Sequence, residues 1–235
     1  MITNEVATQP ETKLEKVRAM LAQTLSGDHG ACLTCSFQAE DVLLTKLAIE
    51  IDPQIPILFL DTGYHFAETY VYRDRIAHEW QLNLINLLPQ KTVAEQEAEH
   101  GLLYRSAPDK CCGLRKVEPL FKAVAEYRVW LTGLRREQAK SRAALEESAL
   151  FMLPGGRQVL KLAPLAEWTT RDVWHVCELL AIPLLPLYER GYTSIGCDPC
   201  TRATKPGEDE RAGRWWWEDS DVKECSIHWP LPPKA

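Results

Sequence analysis

The chain lacks the features that mark membrane-spanning and exported proteins. No apolar run approaches the length needed to cross a bilayer, so we expect no membrane partner. The first twelve residues, MITNEVATQPET, lack the basic start and apolar core of a signal peptide. Internal repeats and low-complexity tracts are also missing from the sequence. These features predict a cytoplasmic protein.

An excess of basic residues is missing too. The 27 lysines and arginines are outnumbered by 33 aspartates and glutamates, which gives a net charge of −6. This balance gives no sign of a nucleic-acid surface, and we expect no nucleic-acid partner. Because the net charge of the chain repels anions, an anionic ligand would need a local patch of basic residues.

Cysteine is the residue type that carries most information here. Eight cysteines occur in a chain long enough for an ordinary core, so reduced thiols fit better than disulfides. Two pairs, Cys111-Cys112 in KCCGLRK and Cys197 with Cys200 in GCDPCT, suit zinc or an iron–sulfur cluster if they meet in space. Cys225, in KECSIHWP, lies outside that set and is a candidate nucleophile.

The spacing of the two pairs leaves both metals open. Cys197 and Cys200 form a common half-site for zinc. The adjacent Cys111 and Cys112 project about 100° apart on a helix, so both thiolates reach one small ion only with difficulty. A cluster with four iron corners spreads its ligands more widely, and the spacing therefore favours it over zinc. The other cysteines in apolar patterns are expected in the core; they are Cys32, Cys35 and Cys177.

Predicted strands alternate with predicted helices along most of the chain. The strands are 31–37, 55–60, 82–88, 127–132 and 158–163. The helices are 11–25, one that begins at Glu40 and Asp41, 66–79, 112–126 and 169–180. This alternation predicts an α/β fold with a doubly wound parallel sheet. Ligands of such sheets bind at the carboxyl ends of the strands, where the turns 36–41, 61–64 and 133–137 carry suitable residues.

The composition changes after about Thr201. The following segment is charged, rich in proline and glycine, and holds four of the eight tryptophans. Its arginines stand close to Trp215–Trp217, and arginine recognises phosphate- and sulfate-like groups through a planar fork. We therefore predict a nucleotide-binding α/β domain at 1–204 and a mobile C-terminal tail at 205–235 that carries a reactive cysteine, rather than an inert tail.

Seven motifs in one order resemble the assimilatory adenylyl-sulfate (APS) reductases, which share a family with the phosphoadenylyl-sulfate (PAPS) reductases. The resemblance runs from about residue 30 to residue 229. The motifs are SFQAED (36–41), LDTGYHFAET (60–69), KCCGLRKVEPL (110–120), TGLRREQ (132–138), SIGCDPCTR (194–202), GRWWWE (213–218) and KECSIH (223–228). The tail motif departs from the family pattern, because Ser226 and Ile227 stand where the family has glycine and leucine.

The resemblance implies a fold and a set of site residues. The fold is that of the adenine-nucleotide α-hydrolase-like (PP-loop) proteins, with a modified loop at 36–41. One [4Fe-4S] cluster per chain would be held by Cys111, Cys112, Cys197 and Cys200. PAPS reductases lack these cysteines, so their presence points to APS as substrate. The expected substrate contacts are Ser36, Phe37, Gln38, Leu60, Thr62, Gly63, Lys116, Arg135, Arg136, Arg211, Arg214 and Trp215.

The resemblance also implies a reaction, which belongs to sulfate assimilation and cysteine biosynthesis. The Cys225 thiolate would attack the sulfate sulfur of APS, giving an S-sulfocysteine and AMP. A thioredoxin- or glutaredoxin-like reductant would then release sulfite. His228 would act beside Cys225, and the positive charge of Lys223 would favour the thiolate. We expect the cluster to have a structural and electrostatic role, and the protein to be a homo-oligomer.

Three other functions are alternatives to APS reduction. PAPS could be the substrate if an extra basic pocket accepts its 3′-phosphate. An iron–sulfur redox-sensing protein of a non-enzymatic class would need neither Cys225 nor nucleotide-type turns. A PP-loop ATP pyrophosphatase would carry Ser-Gly-Gly-x-Asp-Ser, whereas this chain has Ser-Phe-Gln-Ala-Glu-Asp and lacks the glycines that wrap a pyrophosphate.

Overall fold

A six-stranded sheet runs through the centre of the computed structural model, which describes residues 10–27, 30–218 and 224. The strands are β1 (Ala31–Thr34), β2 (Ile57–Leu60), β3 (Leu84–Leu87), β4 (Val129–Thr132), β5 (Ser148–Met152) and β6 (Gln158–Leu162). Their order in the sheet is β3-β2-β1-β4-β6-β5. Every neighbouring pair is parallel except β5 and β6, which are antiparallel.

Eight α-helices flank or extend the sheet in the described part of the chain. They are α1 (Pro10–Leu25), α2 (Ala39–Ile49), α3 (Ala67–Glu79), α4 (Val93–His100), α5 (Leu103–Ser106), α6 (Pro108–Cys112), α7 (Glu118–Val124) and α8 (Thr170–Leu179). A π-helical turn, Gly113–Val117, joins α6 to α7. Short 3₁₀ turns occur at Arg136–Gln138, Lys140–Arg142, Pro186–Arg190 and Asp198–Cys200.

Local sequence explains why the main elements form where they do. Strand β4 (VWLT) is buried at every residue, as a strand covered on both faces of a parallel sheet must be. Helices α4 and α8 begin at capping boxes, in which Thr92 pairs with Glu95 and Thr169 pairs with Asp172. Each box satisfies backbone N–H groups that the first helical turn would otherwise leave unpaired.

Apolar side chains leave the sheet on both of its faces. Leu33 and Leu131 point to the side that α1, α2 and α8 cover, whereas Cys32 and Trp130 point to the side that α7 covers. Successive strand residues point to opposite faces, so this alternation produces two cores on one sheet. The α/β fold with a doubly wound, mostly parallel sheet is therefore confirmed.

Some elements differ from the sequence-based prediction. The helix predicted at 112–126 begins earlier, as α6 at Pro108, and continues through the π-helical turn to α7. Strand β5 and helices α4 and α5 were not predicted. No helix among the described residues has the length and apolar character that crossing a bilayer requires. The first part of the predicted tail, 205–218, packs on the domain, where Arg214 and Trp215 are buried.

Candidate active site

The turn between β1 and α2 forms the floor of the candidate site. The backbone N–H and the hydroxyl of Ser36 both donate to the Asp41 carboxylate, at 2.7 and 2.5 Å. Phe37 has a left-handed backbone with a φ of 62°, although it is not glycine. Its side chain is buried against the ring of Phe59, 5.6 Å away between centroids. Aromatic packing thus stabilises a turn conformation that usually requires glycine.

A pocket opens at the carboxyl ends of β1, β2 and β4, where a doubly wound sheet binds its ligands. Ser36 and Gln38 line it after β1, Leu60 ends β2, and Gly133 follows β4. A Cβ atom at Gly133 would stand 2.3 Å from Oδ1 of Asp41. Glycine is therefore required where the loop after β4 meets the Ser36–Asp41 turn.

Three arginines from distant parts of the chain line the same pocket: Arg142, Arg211 and Arg214. Nε and Nη2 of Arg142 donate to the two carboxylate oxygens of Glu224, at 2.8 and 2.9 Å. Nη2 of Arg211 lies 3.5 Å from the same carboxylate. A pocket that holds a carboxylate between guanidinium groups has the chemistry to bind a phosphate or sulfate.

Arg214 is held between a glycine and an aromatic ring. Its guanidinium lies 4.7 Å from the centre of the Trp215 ring, and its Nη1 is 3.4 Å from the Ser194 hydroxyl. A Cβ atom at Gly196 would stand 2.2 Å from Nη2 of Arg214. The Nε of Arg214 is buried and has no hydrogen-bond partner among the described residues. This unsatisfied donor at a pocket wall suits an anionic ligand.

Burial and neighbouring charges shift several pKa values in the pocket. Burial, with the nearby Glu40 carboxylate, raises the pKa of Asp41 to about 6, although the Ser36 hydrogen bonds oppose the change. Burial and the charge of Arg214 lower the pKa of Arg211 to about 10, which still leaves Arg211 protonated at neutral pH. Burial lowers the pKa of His65 to about 4, so its ring is neutral there.

A second, smaller cavity is lined by all four cysteines of the two pairs: Cys111, Cys112, Cys197 and Cys200. The first two end α6, immediately before the π-helical turn. Of the other two, Cys197 precedes the 3₁₀ turn Asp198–Cys200 and Cys200 ends it, and the N–H of Asp198 donates to Tyr64 O at 2.7 Å. All four are buried, with 6–8% of each residue exposed. The fold therefore joins two sequence-distant cysteine pairs at one place.

Polar groups surround the cysteine sulfurs. The Thr62 hydroxyl lies 3.3 Å from Sγ of Cys197, and Nε2 of Gln96 donates to Sγ of Cys111 at 3.8 Å. The buried Arg115 donates to Oε1 of Gln96, which turns the amide nitrogen of Gln96 toward the sulfur. Burial raises the pKa of Cys111, and burial raises that of Cys200 to about 12. These thiols need a metal or nearby cations to ionise at neutral pH.

Comparison with known proteins identifies the family. The model of the phosphoadenosine phosphosulfate reductase domain matches residues 30–203. The chain belongs to this reductase family. It is 42% identical over 232 residues to an adenosine 5′-phosphosulfate reductase from Burkholderia cepacia, covering 95% of this chain and 92% of that protein. Membership and the relatives' names support an oxidoreductase that acts on a sulfur group in sulfate reduction.

Solved structures share the fold of this chain. The phosphoadenylyl-sulfate (PAPS) reductase of Candida auris, crystallised with phosphate, is 26% identical. It superposes with a TM-score of 0.69 over 82% of this chain and 94% of that one. The FMN adenylyltransferase of Candida glabrata is 16% identical, with a TM-score of 0.61 over 99% of this chain and 82% of that one, and it shares the fold. The predicted PP-loop type of fold is thus confirmed.

The residues of the cysteine cavity fit the iron–sulfur cluster that this reductase resemblance implies. Four buried thiols line one space, and Nε1 of Trp215, which also lines it, is a buried donor without a partner among the described residues. A sulfide or thiolate would satisfy that donor. Within residues 10–27, 30–218 and 224, no three histidine, cysteine, aspartate or glutamate side chains already form a site for a single metal ion.

The structure brings only some of the predicted substrate contacts into the pocket. Those that line it are Ser36, Gln38, Leu60, Lys116, Arg211 and Arg214. Lys116 borders both the pocket and the cysteine cavity. The side chain of Phe37 lies in the core instead, Thr62 contacts Cys197, and Trp215 lines the cysteine cavity. A Cβ atom at Gly63 would stand 2.8 Å from Val93, outside the pocket lining.

Two predicted arginines lie elsewhere in this fold. The buried Arg135 pairs with Glu137 at 3.2 Å and with Glu210 at 3.6 Å. Arg136 pairs with Glu167 at 3.1 Å and donates to Leu145 O. Neither lines the pocket, so their contacts give them structural roles and do not support the predicted contact with the anion. Cys225 and His228 lie outside the described residues, and their roles stay predictions.

Sequence reasoning missed several residues that line the pocket, among them Gln138, Arg142, Ser194 and Glu224. Arg142 follows the TGLRREQ motif by four residues, in a charged stretch without a recognisable pattern. Ser194 and Gln138 lie inside quoted motifs, so their motifs could have identified them as site residues. Glu224 also lies inside a quoted motif, KECSIH, next to Cys225.

Proposed function

We propose that this protein reduces adenylyl sulfate (APS) to sulfite and AMP with electrons from a thioredoxin- or glutaredoxin-like dithiol. One observation carries the proposal. The arginine-lined pocket at the carboxyl ends of the strands and the four-cysteine cavity share a wall, and Lys116 borders both. Nucleotide-type turns, an anion site and a sulfur-rich metal site side by side match the needs of this reaction better than those of a sensor.

The pocket suits an adenine nucleotide with an acidic mixed anhydride. Ser36 and Gln38 offer polar groups at the strand ends, and Leu60 offers an apolar surface. The phosphate and sulfate groups would be bound by Arg142, Arg211 and Arg214, because all three line the pocket and the first two already hold a carboxylate there. Lys116 would add a further positive charge on the side of the cysteine cavity.

Cys111, Cys112, Cys197 and Cys200 would hold a [4Fe-4S] cluster. When bound, the cluster would tie α6 to the 3₁₀ turn at Asp198 and supply a fixed charge distribution beside the pocket. Thr62 and Gln96 would keep their contacts with the ligand sulfurs. The electrons of the reaction would arrive as thiols, so no step requires the cluster to change oxidation state.

The proposed chemistry uses one thiolate of this chain. The Cys225 thiolate attacks the sulfur of the APS sulfate group, an S–S bond forms, the bond from sulfur to the bridging phosphate oxygen breaks, and AMP leaves. A thiolate of the reductant then attacks Sγ of Cys225, and sulfite leaves with the bonding pair. The second thiol of the reductant releases Cys225 as a thiolate, so the dithiol is oxidised by two electrons and the sulfate sulfur is reduced.

Sulfite release under anaerobic conditions tests the proposal. The protein is purified anaerobically, its iron and sulfide are measured, and APS and PAPS are compared in the presence of thioredoxin. We expect kcat/KM for APS to exceed that for PAPS by a wide margin. Preference for PAPS would assign the chain to the other substrate of its family, and turnover of neither nucleotide would defeat the proposal.

A further inference from the structure

Glu224 places a carboxylate inside the arginine-lined pocket. Only 2% of its side chain is exposed, and it lines the pocket beside the three arginines. Both oxygens are held by Arg142, at 2.8 and 2.9 Å, and one also lies 3.5 Å from Nη2 of Arg211. The Ser141 hydroxyl donates to the first oxygen at 3.3 Å. The carboxylate therefore occupies the place where two guanidiniums converge.

The contact with Arg142 has the geometry with which arginine binds oxyanions. Two parallel N–H groups along one edge of the guanidinium meet two oxygens of one acid. A sulfate or phosphate presents the same pair of acceptors to that edge. The remaining edge of Arg142 is turned to Gln138, to which Nη1 donates. One edge of Arg142 thus cannot hold the carboxylate and a ligand oxyanion at the same time.

The other acids that line the pocket have different partners. Asp41 accepts hydrogen bonds from Ser36, and Glu40 accepts one from Gln138. Burial by itself raises the pKa of Glu224, but its hydrogen bonds to Arg142 and the charge of Arg211 outweigh burial and hold that pKa below its usual range. Glu224 is therefore ionised at neutral pH and serves as the counter-ion of Arg142 and Arg211.

We propose that the Glu224 carboxylate and the sulfate group of the substrate are alternative occupants of the Arg142–Arg211 pair. Binding of substrate then requires displacement of Glu224, which makes Glu224 a specificity-determining residue. A ligand with an oxyanion at this position gains the two arginines, whereas an uncharged ligand leaves the internal ion pair in place. The inference rests on the proposed function in one respect: it takes the displacing oxyanion to be the sulfate of APS.

Binding measurements on Glu224→Gln test the exchange. The whole iron-loaded protein is used, with Cys225→Ser in every sample so that APS is not consumed, and calorimetry measures binding of inorganic sulfate, APS and adenosine. Glutamine removes the charge that competes with the ligand, so we expect sulfate and APS to bind about tenfold more tightly. Adenosine affinity should not change. Glu224→Asp, which keeps the charge on a shorter side chain, should give a smaller gain.

Glu218→Gln is the matched control. It removes the same charge from the same tail, but Glu218 is exposed and pairs with no cation in the described part of the chain. We expect the affinities of all three ligands to match those of the parent protein. A gain in Glu218→Gln equal to that in Glu224→Gln would overturn the proposal, because net charge alone would then explain the effect.

Failure of the exchange and failure of the proposed function give different results. Unchanged or weaker binding of sulfate and APS to Glu224→Gln, in a protein with parental iron content and melting temperature, overturns the exchange even if APS is the substrate. If sulfate binding tightens but APS is not bound, and protein with Cys225 intact does not reduce APS, the exchange stands and the proposed function fails. The sulfate arm therefore tests Glu224 independently of the reaction.

Discussion

Substituting Arg142 by lysine tests whether Arg142, which lines the pocket, binds the substrate anion. The sequence motifs predicted Arg135 and Arg136 for this role instead. Arg142 is 8% exposed, and its Nε and Nη2 form one fork while Nη1 faces Gln138. Lysine keeps the positive charge but presents a single ammonium in place of that fork. The perturbation therefore removes geometry rather than charge.

The expected loss follows from the number of hydrogen bonds that the fork makes. A hydrogen bond to a charged group contributes roughly 1.5–3 kcal/mol, and lysine retains about one of the two contacts. Loss of one contact to the substrate oxyanion lowers kcat/KM for APS by roughly 10- to 150-fold. The assay is anaerobic sulfite release at limiting APS, with iron content measured to show that the cysteine cavity is intact.

Arg136→Lys is the control for this experiment. Arg136 is 40% exposed on its side chain, pairs with Glu167 and lies outside the pocket lining. We expect less than a twofold change in kcat/KM, because an exposed ion pair contributes little. The reasoning is refuted if Arg136→Lys loses as much activity as Arg142→Lys, or if Arg142→Lys behaves like the parent enzyme.

Three further predictions concern the turn, the sheet and the cysteine cavity. Gly133→Ala forces a Cβ against Asp41 and should lower the free energy of unfolding by about 1–3 kcal/mol. Gly113→Ala, whose Cβ meets nothing within 4 Å, should leave that free energy unchanged. Chemical denaturation of both variants measures the difference. Burial, with the charge of Arg142, lowers the pKa of Lys161 to about 8 from the ordinary lysine value of 10.5. Between these two pH values the unfolded chain binds more protons than the folded one, so the free energy of unfolding should rise with pH there. Lys161→Met should abolish this rise, and a rise that persists in the variant would assign it to another group. Cys197→Ser and Cys200→Ser should lose the iron and sulfide, about four of each per chain in the parent; stoichiometric zinc in active protein would contradict the iron–sulfur assignment.

The sequence predicted the sheet well where strands are buried. β2 is a continuous apolar run and β4 is buried at every residue, and helices α2 and α3 carry acidic residues in their first turns. β5 was missed because it is an edge strand whose residues are mostly exposed, so no burial pattern marks it. A signal existed in the Pro154-Gly155-Gly156 turn, where both glycines have a positive φ and the chain reverses into β6.

The candidate site was predictable only where residues share a motif. The cysteine pairs and the Ser36–Asp41 turn can be recognised from their local spacing. In the fold, the turn lines the pocket and the two pairs line one cavity beside it. Arg142 reaches the pocket because the 3₁₀ turns after β4 carry it there, and Arg135 turns away because Glu137 and Glu210 hold it. Choosing between neighbouring arginines requires the partners that each one finds in three dimensions, and these partners are distant in sequence.

Mass spectrometry of the protein after mixing with APS, without any reductant, shows whether Cys225 is the nucleophile. We expect iron-loaded protein to release one AMP per chain and to stop with a sulfonate group on the peptide that contains Cys225. Addition of thioredoxin should then release one sulfite per chain and remove the adduct. Absence of the adduct, or a sulfonate on any of the other seven cysteines, would contradict the account.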